Sequence, residues 1–68
     1  MSLNITVAPL EYAKSVTKTE LRKTIKAIKV MEYDEFADRC RICFEKYLVG
    51  DMEQAEWWSR HAESIKPE

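Results

Sequence analysis

Residues 34–66, DEFADRCRICFEKYLVGDMEQAEWWSRHAESIK, decide the fold class. Phe36, Cys40, Cys43, Phe44, Tyr47 and Leu48 recur at steps of three and four, which at about 100° per residue gathers them on one side of a helix. Gly50, the one glycine of the chain, stops that helix, because a C′ position takes a left-handed backbone that glycine adopts at least cost. Asp51 follows at once as an N-cap, with Gln54 at the spacing of a capping box. In the second helix Ala55, Trp58, Ala62 and Ile65 make the inward stripe, and Pro67 closes the helical stretch. Small residues at 55 and 62 let the two helices approach, while Trp58 fills the gap between them. The pattern predicts a helical hairpin over 34–66 with almost no loop.

Working outward, Leu3, Ile5 and Val7 alternate with Asn4 and Thr6, a period of two that reads as a short strand ending at Ala8-Pro9. Nothing else in the chain looks like its partner. Residues 1–9 are therefore expected to be an extended arm on the helices, a homodimer contact in which residues 3–7 pair with their own copy, or a strand added to a partner's sheet. Pro9 to Ser15 is ambiguous: proline suits a first helical turn, yet Ser15, Val16 and Thr17 are poor helix formers in series. A short separate helix is one reading. Thr17 and Glu20 have capping-box spacing, and Leu21, Ile25, Ile28 and Met31 then mark the buried face of a helix. Residues 10–31 together read as a basic amphipathic helical region. Lys18, Arg22, Lys26 and Lys29 form its outer stripe, with Lys14 and Lys23 beside it, and Glu20 is the one acid within residues 14–29. That segment carries +5, whereas residues 30–68 carry -5, so the chain is electrically two-ended.

Sixty-eight residues make one domain, and a chain of this size buries only about 60% of the surface it exposes when unfolded. The core will be thin, and such folds are often completed by a metal, a disulfide, a second copy or a partner. The expected architecture is mostly α: a three-helix small domain with a C-terminal helical hairpin and a short N-terminal extended strand or arm. A net charge of -1 favours neither nucleic acid nor acidic partners. No apolar run reaches transmembrane length and the first residues lack a charged n-region, so no membrane partner is expected and the setting is read as cytoplasmic or intracellular.

Cys40-Arg41-Ile42-Cys43 is a C-x-x-C. In redox enzymes that spacing works at a helix N-terminus, where the dipole stabilises a thiolate, but here the pair sits mid-helix with no βαβ pattern around it. A zinc site would need four ligands, and the two thiols and His61 leave the set incomplete. Both cysteines are read as small buried hydrophobes, with no metal and no cofactor expected. No enzyme is expected either: His61 is the single histidine, Ser59 and Ser64 lack an evident base, and one glycine makes no phosphate loop.

Trp57 is the more informative residue. Beside an inward-facing Trp58 it points about 100° away, onto a flank shared with His61 at i+4. Either it is an exposed contact residue, with Ile42 and Val49 as further apolar surface off the core arc, or it covers the Lys18–Met31 helix as a third wall of the core. Trp58, Phe36, Phe44, Tyr47, Leu21, Ile25 and Ile28 are the expected core.

Two partial resemblances accompany this reading. Gly50-Asp51, Ala55, Ala62 and Pro67 stand at the relative spacings of the turn and second helix of a tetratricopeptide repeat, which residues 50–67 resemble; Arg39 and Cys43 depart from that pattern. The resemblance implies a similar hairpin and protein binding. The front half resembles a ribbon-helix-helix DNA-binding domain, with Leu3-Asn4-Ile5-Thr6-Val7 as the ribbon and Thr17-Lys18-Thr19-Glu20-Leu21 opening its second helix; the first helix is short for that family and the ribbon carries no arginine or lysine. That resemblance implies a dimer whose paired strands lie in the major groove, with Asn4 and Thr6 facing DNA.

The functional expectation is a small non-enzymatic interaction module, a regulator or inhibitor that occupies another protein's surface through Trp57, His61, Ile42 and Val49. The alternative is a dimeric DNA-binding repressor using Asn4, Thr6 and the Lys18/Arg22/Lys26/Lys29 stripe.

Overall fold

The computed structural model describes residues 7–30 and 35–65, and the chain is mostly α-helical. Four helices are present among the described residues: α1 (Pro9–Ser15), α2 (Lys18–Val30), α3 (Glu35–Leu48) and α4 (Met52–Glu63). The expected three-helix count becomes four because the 10–31 region divides. Val16 is extended (φ -116°, ψ 163°), and Thr17 then caps α2, its Oγ1 accepting from the Glu20 amide at 3.1 Å. A β-branched pair and a side-chain N-cap act together: Val16 breaks the first helix and Thr17 starts the second. No strand occurs among the described residues. The expected ribbon at 3–7 lies outside them apart from Val7, which is exposed, and so do Met31 and Pro67.

α3 is the central element and packs against α1, α2 and α4. It buries Phe36, Ala37, Cys40, Cys43 and Phe44, a stripe wide enough to meet three neighbours. Gly50 ends it with φ +83°, and Asp51 caps α4 by accepting from the Gln54 amide at 3.3 Å, so the turn signals act as the sequence implied. The hairpin is antiparallel: Cys43 Sγ meets the Ala55 carbonyl at 3.2 Å, and Arg39 meets His61. Ala55 and Ala62 are fully buried, which allows the close approach of the two axes.

Of the expected core, Leu21, Ile25, Ile28, Phe36 and Phe44 are buried, whereas Tyr47 and Trp58 are half-buried at its rim. The difference comes from α1. Its Pro9 and Ala13 are buried, and Tyr12 places its ring 5.5 Å from that of Phe44 and its hydroxyl 3.3 Å from Thr24 Oγ1 of α2. This seven-residue helix supplies the wall that Trp57 was one candidate to provide. α1 is also tied to α4, where the buried Ser59 hydroxyl accepts from the Leu10 amide at 3.2 Å and so satisfies a first-turn donor that α1 itself leaves open. Ser59→Ala is expected to cost about 1 kcal/mol, the usual effect of orphaning such a donor. Urea unfolding checks it, and the Leu10 amide should lose hydrogen-exchange protection ahead of α3.

Candidate functional site

The second and third turns of α4 carry Trp57, Trp58 and His61, with Trp57 and His61 on one flank and Trp58 beside them. The Trp57 ring stands edge-on to Trp58 (centroids 4.7 Å, 90°) and lies over the His61 imidazole (3.9 Å, 36°). Helical spacing produces the second contact, because i and i+4 side chains meet on one flank. Trp57 is 48% exposed, and its ring contacts are with its own helix.

His61 is held from the other side by α3. An Arg39 Nη1–H donates to His61 Nδ1, and Arg39 Nη2 pairs with the Glu35 carboxylate one turn earlier. A guanidinium has no acceptor, so this bond requires His61 to present a bare Nδ1 and carry its proton on Nε2. Arg39 Nε is buried without a hydrogen-bond partner, which fits a side chain spent on bridging the two helices. The result is a line of Glu35, Arg39, His61 and Trp57 across the hairpin, ending in a half-exposed indole whose orientation is set by its neighbours. Arg39 was not legible as a contact residue from its sequence position; the i, i+4 Glu35/Arg39 pair was the available signal.

The other expected contact residues are less closely grouped. Ile42 is half-buried and shares the Glu35/Arg39/Lys46 flank of α3 by helical spacing, so it belongs to the same side of the hairpin. Val49 is 75% exposed but sits at the Gly50 turn, a separate location. An open depression of about 240 Å³ lies on the outer face of α4, lined by Glu53, Gln54, Glu56, Trp57 and Arg60, with Glu56 bonded to Arg60 at 2.8 Å.

Lys18, Arg22, Lys26 and Lys29 are exposed along α2. Lys29 reaches Glu45 of α3 at 3.3 Å, and Glu45 also accepts from Arg41, which bonds Asp38 as well. The two charged ends of the chain therefore meet at this network. The hydrogen bond to Asp38, with Glu45 adding to it, raises the Arg41 pKa against the opposing effect of burial. Asn4 and Thr6 lie outside the described residues.

Cys40 and Cys43 are both buried and unbridged. Loss of solvent pushes the Cys43 thiol up to about 12 from 9.0, so at neutral pH it is a protonated donor to the Ala55 carbonyl and a poor nucleophile. Two consequences are expected. A thiol reagent at pH 8 should label neither cysteine in the native protein and both in denaturant. Between about pH 9 and 12 the folded chain retains a proton that the unfolded chain releases, so stability should fall as pH rises through that window; flat stability there would contradict it. No group of three or more histidine, cysteine or acidic side chains placed to hold a metal occurs among the described residues, and no described helix is long and apolar enough to cross a membrane.

Comparison with known proteins returns no match: no protein-family model fits the chain, and no curated protein or solved structure is significantly similar to it.

Proposed function

We propose that the protein is a non-enzymatic interaction module, a small regulator or inhibitor that binds another protein through the outer face of the α3/α4 hairpin. The observation that carries this reading is the state of Trp57: a large apolar ring, half-exposed, outside the core cluster and oriented by the His61–Arg39–Glu35 line. Interface hot spots favour tryptophan, and a ring already fixed in the free protein loses little freedom on binding. His61 and Ile42 flank it on the same side, while Val49 extends the apolar surface at the turn. Cross-linking of the tagged chain in its source extract, with Trp57→Ala as the paired control, tests the reading: a specific partner lost in the variant supports it, and an identical profile refutes it.

A homodimer through residues 3–7, as in the ribbon-helix-helix alternative, is tested by light scattering on the full chain and on a version beginning at Val7. That version keeps the Ala8 carbonyl, which accepts from the Tyr12 amide at 2.9 Å, and the buried Pro9. A dimer that becomes a monomer on trimming would transfer support to the repressor reading.

A further inference from the structure

The basic face of α2 is a second surface, and the geometry points to the phosphate backbone of duplex nucleic acid as its partner, bound without sequence readout. α2 buries a single narrow stripe, Leu21, Ile25 and Ile28, and leaves most of its remaining circumference in solvent. Two of the outer cations are already engaged, Lys23 with Glu20 at 3.9 Å and Lys29 with Glu45 at 3.3 Å. Lys18, Arg22 and Lys26 make no ion pair among the described residues. They stand four residues apart, so they form a row that rises about 6 Å and winds about 40° around the helix at each step.

The composition of that face selects the partner. Along α2 the exposed side chains are threonine, lysine, arginine, Glu20, Ala27 and, at the last residue, Val30, with no aromatic among them. A protein interface needs an apolar centre from which charge is depleted, and the one large apolar group that α2 exposes, Val30, stands at its C-terminal end beyond the cations. Single strands are held by base stacking on aromatic rings, which are equally missing from this face. A duplex backbone asks only for cations in a row, because its affinity comes from the counterions released by each neutralised phosphate. The surface is also independent of the Trp57 face. On α3, Glu45 meets Lys29 of α2 and Arg39 meets His61 of α4, six positions and about 120° apart around the axis, so the two surfaces lie on different faces and can be occupied together.

The test is fluorescence anisotropy of the full chain with a labelled duplex, across a salt series starting at low ionic strength. Three phosphate contacts give a slope of log K against log salt of about -2.7, and Lys18→Ala, Arg22→Ala or Lys26→Ala should each reduce it by about 0.9. The triple variant should lose binding with its circular dichroism unchanged, since all three side chains are exposed. Lys46→Ala, which removes the same charge from α3, should leave the slope as it was. No binding at the lowest salt, a slope unmoved by the single variants, or equal loss with Lys46→Ala would overturn the assignment. So would low-salt self-association of the protein alone that disappears in the triple variant, which would give the row to an acidic face of another copy.

Discussion

Phe44→Ala is expected to lower the unfolding free energy by about 3–5 kcal/mol, the cost of removing a fully buried ring and leaving its space unfilled. A domain of this length holds about 3–10 kcal/mol in total, so the variant should lose a third or more of its stability. Position explains the size of the effect. Phe44 lies on the central helix, its ring meets Tyr12 of α1, and Tyr12 in turn reaches Thr24 of α2. Its removal loosens the two N-terminal helices as well as the local contact. Urea unfolding followed by far-ultraviolet circular dichroism measures the loss. Hydrogen exchange should show α1 opening first, because a helix of seven residues has no stability apart from its tertiary contacts. Phe44→Leu, which keeps most of the volume, should cost less than about 1.5 kcal/mol. An alanine effect below about 1 kcal/mol would show that the ring does not occupy the core.

Trp57→Ala should behave in the opposite way. The indole is half-exposed and outside the core cluster, so its removal should cost about 1 kcal/mol or less, mainly the stacking on His61 and Trp58. Partner binding should weaken by about 2 kcal/mol or more, roughly thirty-fold, as for a central tryptophan of an interface. Thermal melting and titration against the cross-linked partner separate the two effects, with a melting shift of no more than about 8 °C expected for a domain this small. A larger shift with unchanged binding would assign Trp57 to structure. Arg39→Gln provides a graded control: it removes the charge that anchors His61 and should weaken binding less than loss of the indole, because the ring stays while its support is loosened.

How far these elements could be read in advance depends on whether their signal is local. The α3/α4 hairpin was legible because periodicity, Gly50 and the Asp51 cap all act within a few residues, and the structure places each as its chemistry requires. The α2 start was legible for the same reason, through Thr17 and Glu20. α1 was not, since a proline-led run of seven residues ending in poor helix formers has no decisive propensity. It is helical because Pro9, Ala13 and Tyr12 find a surface on α3 and α4, and because Ser59, distant in sequence, supplies a bond to its first turn. Tyr47 and Trp58 fall at the rim for a related reason: periodicity places a side chain on a face but does not say which neighbour covers that face.

The candidate site divides along the same line. That Trp57 and His61 share a flank follows from i, i+4 geometry and needs no structure. That Arg39 holds His61 in one tautomer depends on two helices meeting in register, which only tertiary contacts decide. The sequence by itself determined the helical class, the turn at Gly50, the buried stripes and the basic row on α2, because each is set by interactions within a turn or two of the chain. Tertiary structure decided that α1 exists, that it closes the core in place of Trp57, and that the two charged ends meet through Lys29 and Glu45. Those outcomes rest on contacts between residues far apart in sequence, whose energies exist only once the helices have docked.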